Sequence, residues 1–192
     1  MKHVVGLSGG KDSTALALRL AEIEPRDYEY ICNETGNELP AMQDHWKKLE
    51  DMLGKPILRV RHTKDLEGTI HQMNMLPSVF ARWCTRVLKI QPTIAYMEQL
   101  PEGSVLYVGL RADEEARRGL YGEDITIRFP MREWGWKEAD VWAYLDTRGV
   151  RIPRSPVEDR RRRVPPTRTT SARWPGCRRG PSPRTACRRR SC

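Results

Sequence analysis

The sequence predicts an α/β fold, a doubly wound and mostly parallel sheet with helices on both faces, and three observations lead there. Short apolar runs of strand length alternate with longer segments of helical periodicity. A Gly-rich loop joins the first strand to the first helix. The alternation ends near residue 152, where composition changes abruptly.

Taken in order, Val4-Val5-Gly6-Leu7 is a short apolar run, and Leu16, Leu20 and Ile23 recur at helical spacing on an Ala-rich stretch ending near Pro25. Tyr28 to Cys32 reads as a second strand. A helix from Pro40 to Leu53 follows, with Pro in its first turn and Gly54 just past its end. Ile57 to Val60 is a third strand. Leu88 to Leu100 reads as a helix interrupted early by Pro92, and Val105 to Gly109 as a buried strand. Ile125 to Phe129 is a further strand. Lys137 to Leu145 is a helix with Val141 and Leu145 on one face, closed by Gly149.

The net charge of +9 changes meaning once it is divided along the chain. Residues 1–150 hold 20 Lys and Arg against 23 Asp and Glu, whereas residues 151–192 hold 14 Arg, no Lys and 2 acids. All of the excess therefore lies in the tail. With 7 Pro and no apolar periodicity, residues 153–192 are expected to be disordered or of non-native sequence. Three explanations stay open: a basic arm for nucleic acid, a metal-binding tail using Cys177, Cys187 and Cys192, or translation of GC-rich DNA in a wrong frame. Residues 1–152 form the expected folded domain. No run of about 18 apolar residues predicts a membrane span, and five irregularly spaced cysteines do not suggest a disulfide framework. The expectation is a cytoplasmic protein with reduced thiols.

Ser8-Gly9-Gly10-Lys11-Asp12-Ser13 sits where a strand feeds a helix. Glycines let backbone N–H groups converge there, the helix N-terminus adds partial positive charge, and Ser8, Ser13 and Lys11 offer further donors to a phosphate. Asp12 is read as orienting the loop or a metal. The spacing is not that of a Walker A loop, which is longer and ends in Lys-Ser/Thr.

That string resembles the PP-loop of the adenine nucleotide alpha hydrolases, and further segments resemble the phosphoadenosine phosphosulfate (PAPS) reductase family within that group. Glu34-Thr35-Gly36 with Pro40 is similar to its Asp-Thr-Gly loop, with Glu34 where Asp is usual. Arg82-Trp83-Cys84-Thr85 with Lys89 and Pro92 resembles its Cys-containing segment leading into an Arg/Lys-x-x-Pro helix. Gly109-Leu110-Arg111 with Glu114 and Arg118 resembles its Gly-x-Arg stretch, and Pro130, Trp134, Asp140, Val141 and Tyr144 its final segment.

The resemblance covers residues 3 to about 150. It implies an enzyme of sulfur metabolism that binds ATP or a PAPS-type nucleotide through Ser8, Gly9, Gly10, Lys11, Ser13, Thr35, Gly36, Arg82, Lys89 and Arg118. Lys11, Asp12, Cys84 and Arg111 are the catalytic candidates. Chemistry is expected at the α-phosphate, with Mg²⁺ if ATP is the substrate, or at the sulfur attached to it, with a thiol donor protein as partner. An ATP pyrophosphatase of the nucleic-acid thiolation type and a non-catalytic nucleotide-binding remnant are the alternatives. The family's C-terminal Glu-Cys-Gly-Leu/Ile-His motif is missing from the sequence. Cys84 itself reads as a small core residue, a cluster ligand or a reactive thiol. Asp113, Glu114 and Glu115 read as surface charge, and His3, His45, His62 and His71 show no ligand spacing.

Overall fold

The computed structural model describes residues 1–117, 121, 122 and 124–153; the tail and Arg118 lie outside the described residues. Five strands form one sheet: β1 His3–Gly6, β2 Tyr28–Glu34, β3 Ile57–Arg61, β4 Val105–Tyr107 and β5 Thr126–Arg128. All pairings are parallel, in the order β3-β2-β1-β4-β5. The helices are α1 Lys11–Ile23, α2 Pro40–Leu53, α3 Leu66–Met73, α4 Trp83–Thr85, α5 Gln91–Met97, α6 Pro130–Glu133 and α7 Glu138–Thr147, with a π-helical turn over Arg86–Ile90 between α4 and α5.

The period-two alternation of the strands divides the core. On one face Val5, Tyr30, Cys32 and Tyr107 pack with Leu16 and Leu20 of α1, Trp46 and Leu49 of α2, and Val141 and Leu145 of α7. On the other face Val4, Ile31 and Leu106 pack with Met97 of α5. Both faces of the sheet are covered, as a parallel sheet requires. The strand order reverses at β1, so β2 and β4 flank it on opposite sides, and its C-terminal end is the switch point at which open parallel sheets generally take their ligands.

Three local features differ from the sequence expectation. The helix expected over 88–100 begins at Trp83, ends at Met97 and carries the π turn. Pro92 explains that turn, because it supplies no N–H and its ring crowds the carbonyl four residues back; the widened turn lets the Gln91 N–H reach the Arg86 carbonyl instead. The second difference is α3, capped by the Asp65 carboxylate accepting from the Gly68 N–H at 2.8 Å and closed by Asn74 in the left-handed region. The third is the single turn α6, started by Pro130.

Candidate functional site

The switch point at the end of β1 is built from two segments that the sequence separates by about a hundred residues. Residues 8–13 leave β1 and open α1, with Gly10 at the N-cap. Beside them, the chain leaving β4 runs through Gly109 to Arg111. A Cβ at Gly109 would stand 3.2 Å from the Asp12 carbonyl carbon and the Ser13 nitrogen, so glycine allows β4's exit to lie against the first turn of α1.

Within the loop the two serine hydroxyls lie 3.0 Å apart, and Ser13 Oγ donates to the Gly10 carbonyl at 3.1 Å. Lys11 Nζ donates to both Asp12 carboxylate oxygens at 3.0 and 2.9 Å and stands 3.6 Å from Glu138 of α7. Arg111 Nη1 donates to Asp12 Oδ2 at 3.0 Å. Asp12 therefore bridges two cations and fixes both at the mouth of the loop.

Arg111 is held from its other side as well: its Nε donates to Asp113 at 2.9 Å, and Glu114 accepts from its backbone N–H at 3.3 Å. Burial disfavours its charge, but the hydrogen bonds of Asp113 and Asp12 outweigh this and raise its pKa above the ordinary arginine value. Asp113 is depressed by the same pairing with Arg111. These two acids are thus anchors of the site and not the free surface charge expected from sequence. Arg132 of α6 braces the segment by donating to the carbonyls of Glu114 and Arg117 at 2.7 and 2.6 Å.

Helix α2 forms the wall behind the loop. Trp46 Nε1 donates to the Ser8 carbonyl at 3.1 Å, and the Arg59 guanidinium stacks on Trp46 at 4.4 Å. Gly9 has φ +83°, and a Cβ there would meet Met42 Sδ and Trp46 Nε1 at 2.7 Å. Gly10 has φ −72° and its Cβ would find only ordinary contact, 3.6 Å from Ser8 Oγ. The fold itself requires glycine at 9 and not at 10. Thr14 Oγ1 and His45 Nε2, both buried, have no hydrogen-bond partner.

Thr35 and Gly36 follow β2 on the same edge of the sheet, but their donors are already used. Glu38 accepts from Thr35 N at 2.6 Å, Thr35 Oγ1 at 2.8 Å and Gly36 N at 3.0 Å. Burial raises the Glu38 carboxyl, and these hydrogen bonds reverse that and leave it below its usual range. A hollow of about 610 Å³ adjoins this loop, lined by Glu34, Arg61, His62, Lys64 and Asp65 among others.

Of the Cys-containing segment, Cys84 is half-buried, while Arg82 and Lys89 are exposed. Among the described residues no hydrogen bond or ion pair joins these three to the loop. Cys32 is buried, with Arg59 Nη1 donating to its sulfur at 3.1 Å, and desolvation pushes its thiol up. The site residues that sequence reasoning passed over are Glu38, His45, Trp46 and Arg132. Glu38 and Arg132 lie inside family-like segments noted in the sequence without being singled out there, and Trp46 lies in none of those segments.

The family model of the phosphoadenosine phosphosulfate reductase domain matches residues 2–154. Two uncharacterized proteins of Methanocaldococcus jannaschii are similar, one 26% identical over 151 residues and the other 27% over 146, covering 74% and 72% of this chain. The chain spans about a third of the length of these curated relatives, 31% and 34%. Among solved structures, a PAPS reductase from Candida auris in a phosphate complex superposes with TM-score 0.59 at 16% identity, covering 83% of this chain and 77% of that one. The U34-tRNA thiolase NcsA from Methanococcus maripaludis, with its 4Fe-4S cluster, superposes with TM-score 0.55 at 20% identity, covering 81% of this chain and 60% of that one. Both likenesses are of fold.

Proposed function

This chain belongs to the phosphoadenosine phosphosulfate reductase domain family, and from that premise we propose that residues 8–13 bind the phosphates of an adenine nucleotide whose α-phosphate is the centre of the reaction. The observation that carries this reading is the bridge at the switch point: Asp12 holds Lys11 and Arg111 together beside the N-terminus of α1. Two fixed cations and a set of helical N–H groups give an electrostatic field matched to a polyphosphate that gains charge as it leaves. The fold around the loop fits such a ligand. Gly10 leaves open a volume that no internal contact demands, and two buried polar atoms nearby lack partners. The Candida auris reductase was solved as a phosphate complex, which supports anion binding on this fold.

In the proposed reaction an acceptor attacks the α-phosphorus, the bond to the leaving pyrophosphate breaks, and Lys11 and Arg111 stabilise the departing charge. Asp12 is a positioning residue for both. Among the described residues no group of three or more His, Cys, Asp or Glu could cage a metal. Mg²⁺ would therefore be held chiefly by the nucleotide's own phosphates, where it neutralises charge.

A second reading, thiol-dependent reduction of a sulfonucleotide with a thiol donor protein, draws on Cys84 lying between Arg82 and Arg86 with Lys89 one turn on. Radiolabelled ATP with Mg²⁺, scored for binding and pyrophosphate release, and PAPS with thioredoxin, scored for sulfite, separate the two. The expected result is nucleotide binding, pyrophosphate release with a suitable acceptor, and no sulfite. Thioredoxin-dependent sulfite release that disappears in Cys84→Ser would replace the first reading with the second.

A further inference from the structure

Helix α2 turns two large side chains toward the back of the phosphate loop, and they are treated differently. Trp46 is fully paired, whereas His45, only 5% exposed, leaves Nε2 without a partner. It sits one turn after Met42 and next to Trp46, the two side chains of α2 that close on Gly9, and the Gly9 backbone bears on its titration. A buried imidazole with an unsatisfied nitrogen beside an anion-binding loop is a place where a proton can be stored.

We propose that His45 is a proton-coupled positioning residue, which takes up a proton when a polyphosphate occupies residues 8–13 and so ties anion affinity to pH. The inference rests on the nucleotide reading of this loop. It adds a role for a residue that is neither in the loop nor in contact with solvent.

The physical chain is short. Within the fold, burial, reinforced by Lys48 one turn along α2, pushes the His45 pKa below its ordinary value, and the Gly9 backbone opposes this only in part. The ring is therefore neutral near pH 7. Of the charges on the loop and the elements beside it, Lys11 pairs with Asp12, Asp12 with Arg111, Glu138 with Lys11, and Arg59 with Glu50 while it stacks on Trp46; on α2 itself Lys48 is the cation that bears on the ring. A bound polyphosphate adds several negative charges that these pairs do not neutralise. Across a low-dielectric gap this favours imidazolium, and the positive ring then supports the loop's carbonyl side while the N–H side faces the ligand.

The sign follows from linkage. A group whose pKa is higher in the complex than in the free protein binds a proton on association, so affinity rises as pH falls through the bound-state value and levels off below the free-state value.

Calorimetry of ATP binding to the full chain between pH 5.5 and 8, in buffers of different ionisation enthalpy, counts the protons taken up. The same titrations on His45→Gln, which keeps a polar side chain but cannot titrate, remove the proton that ATP itself contributes. The wild type should gain about tenfold more affinity than His45→Gln over this range, corresponding to about one unit of linked shift. His45→Phe, which keeps the ring volume, should behave like His45→Gln. Equal pH dependence and equal proton uptake in wild type and both variants would overturn the proposal while leaving nucleotide binding intact. Absence of ATP and pyrophosphate binding at every pH would remove the nucleotide reading of the loop and this inference with it.

Discussion

Two glycine-bearing loops stand side by side on the C-terminal edge of the sheet, one after β1 and one after β2, and they differ in what satisfies them. In the loop after β2 the chain answers its own donors: Glu38 fills the turn of Thr35 and Gly36, and Gly36 is required by the Asp65 Cβ, which would lie 2.7 Å from an added methyl. After β1 the loop is braced from behind by Trp46 and Met42, yet among the described residues no carboxylate accepts from its backbone N–H groups as Glu38 does after β2, and Gly10 makes only ordinary contact with its neighbours. A self-satisfied loop is architecture, and the loop braced on one side only is the one proposed here as a receptor. The two look alike in sequence because glycine serves both purposes.

The largest effects come from the glycine of each loop that lies in the left-handed region, Gly9 at φ +83° and Gly36 at φ +85°. Gly9→Ala and Gly36→Ala should each lose about 3–5 kcal/mol, the sum of backbone strain and a side-chain collision. Thermal unfolding measures both. If the comparison holds, whatever folded Gly36→Ala remains should keep its nucleotide affinity and Gly9→Ala should not; equal retention by both would erase the distinction.

Arg111→Met comes next. It leaves Asp12, Asp113 and Glu114 without their shared cation in a site where Arg111 is 11% exposed at the side chain. A loss of about 3 kcal/mol in stability is expected, as for a broken buried pair, together with at least tenfold weaker ATP binding. Denaturant unfolding and calorimetry check the two halves. Unchanged affinity would show that Arg111 serves the fold alone.

A smaller effect is expected from Glu38→Gln. The amide keeps an acceptor for only part of the three hydrogen bonds, so stability should fall by about 1–2 kcal/mol. ATP affinity should stay within about threefold of the parent, a margin under 1 kcal/mol. A marked gain in affinity would sharpen the comparison in a different direction, by showing that Glu38 competes with the ligand for Thr35 and Gly36.

Much of this was readable from the sequence where the relevant residues are contiguous. The alternation of strands and helices gave the parallel sheet, and Ser8 to Ser13 marked the loop, because local spacing encodes both. Arg111 was legible from its place after a buried strand. Its anchors were not: Asp113 and Glu114 carry the same letters as any solvated acid, and only the turn after β4 folds them back onto the guanidinium. Trp46 escaped for a related reason, since it acts across a tertiary contact, whereas Glu38 acts within its own turn but carries the same letter as any solvated acid. The π turn escaped because Pro92 signals a break in a helix without saying that the chain can absorb it by widening one turn. Helix α3 was hidden by its eight-residue length and by Gly68, although its cap, Asp65, was in plain view.

The most direct test of the account is Gly10→Val, read by calorimetry with ATP alongside thermal unfolding. Gly10 is an extended N-cap residue whose Cβ would make only ordinary contact, so valine should fold at a cost of about 1 kcal/mol. Its branched side chain would nevertheless occupy the space left for phosphate. The account predicts a folded protein with a melting temperature close to the parent's and no measurable ATP binding; a Gly10→Val protein that binds ATP as the parent does would show that the loop after β1 is as self-contained as the loop after β2.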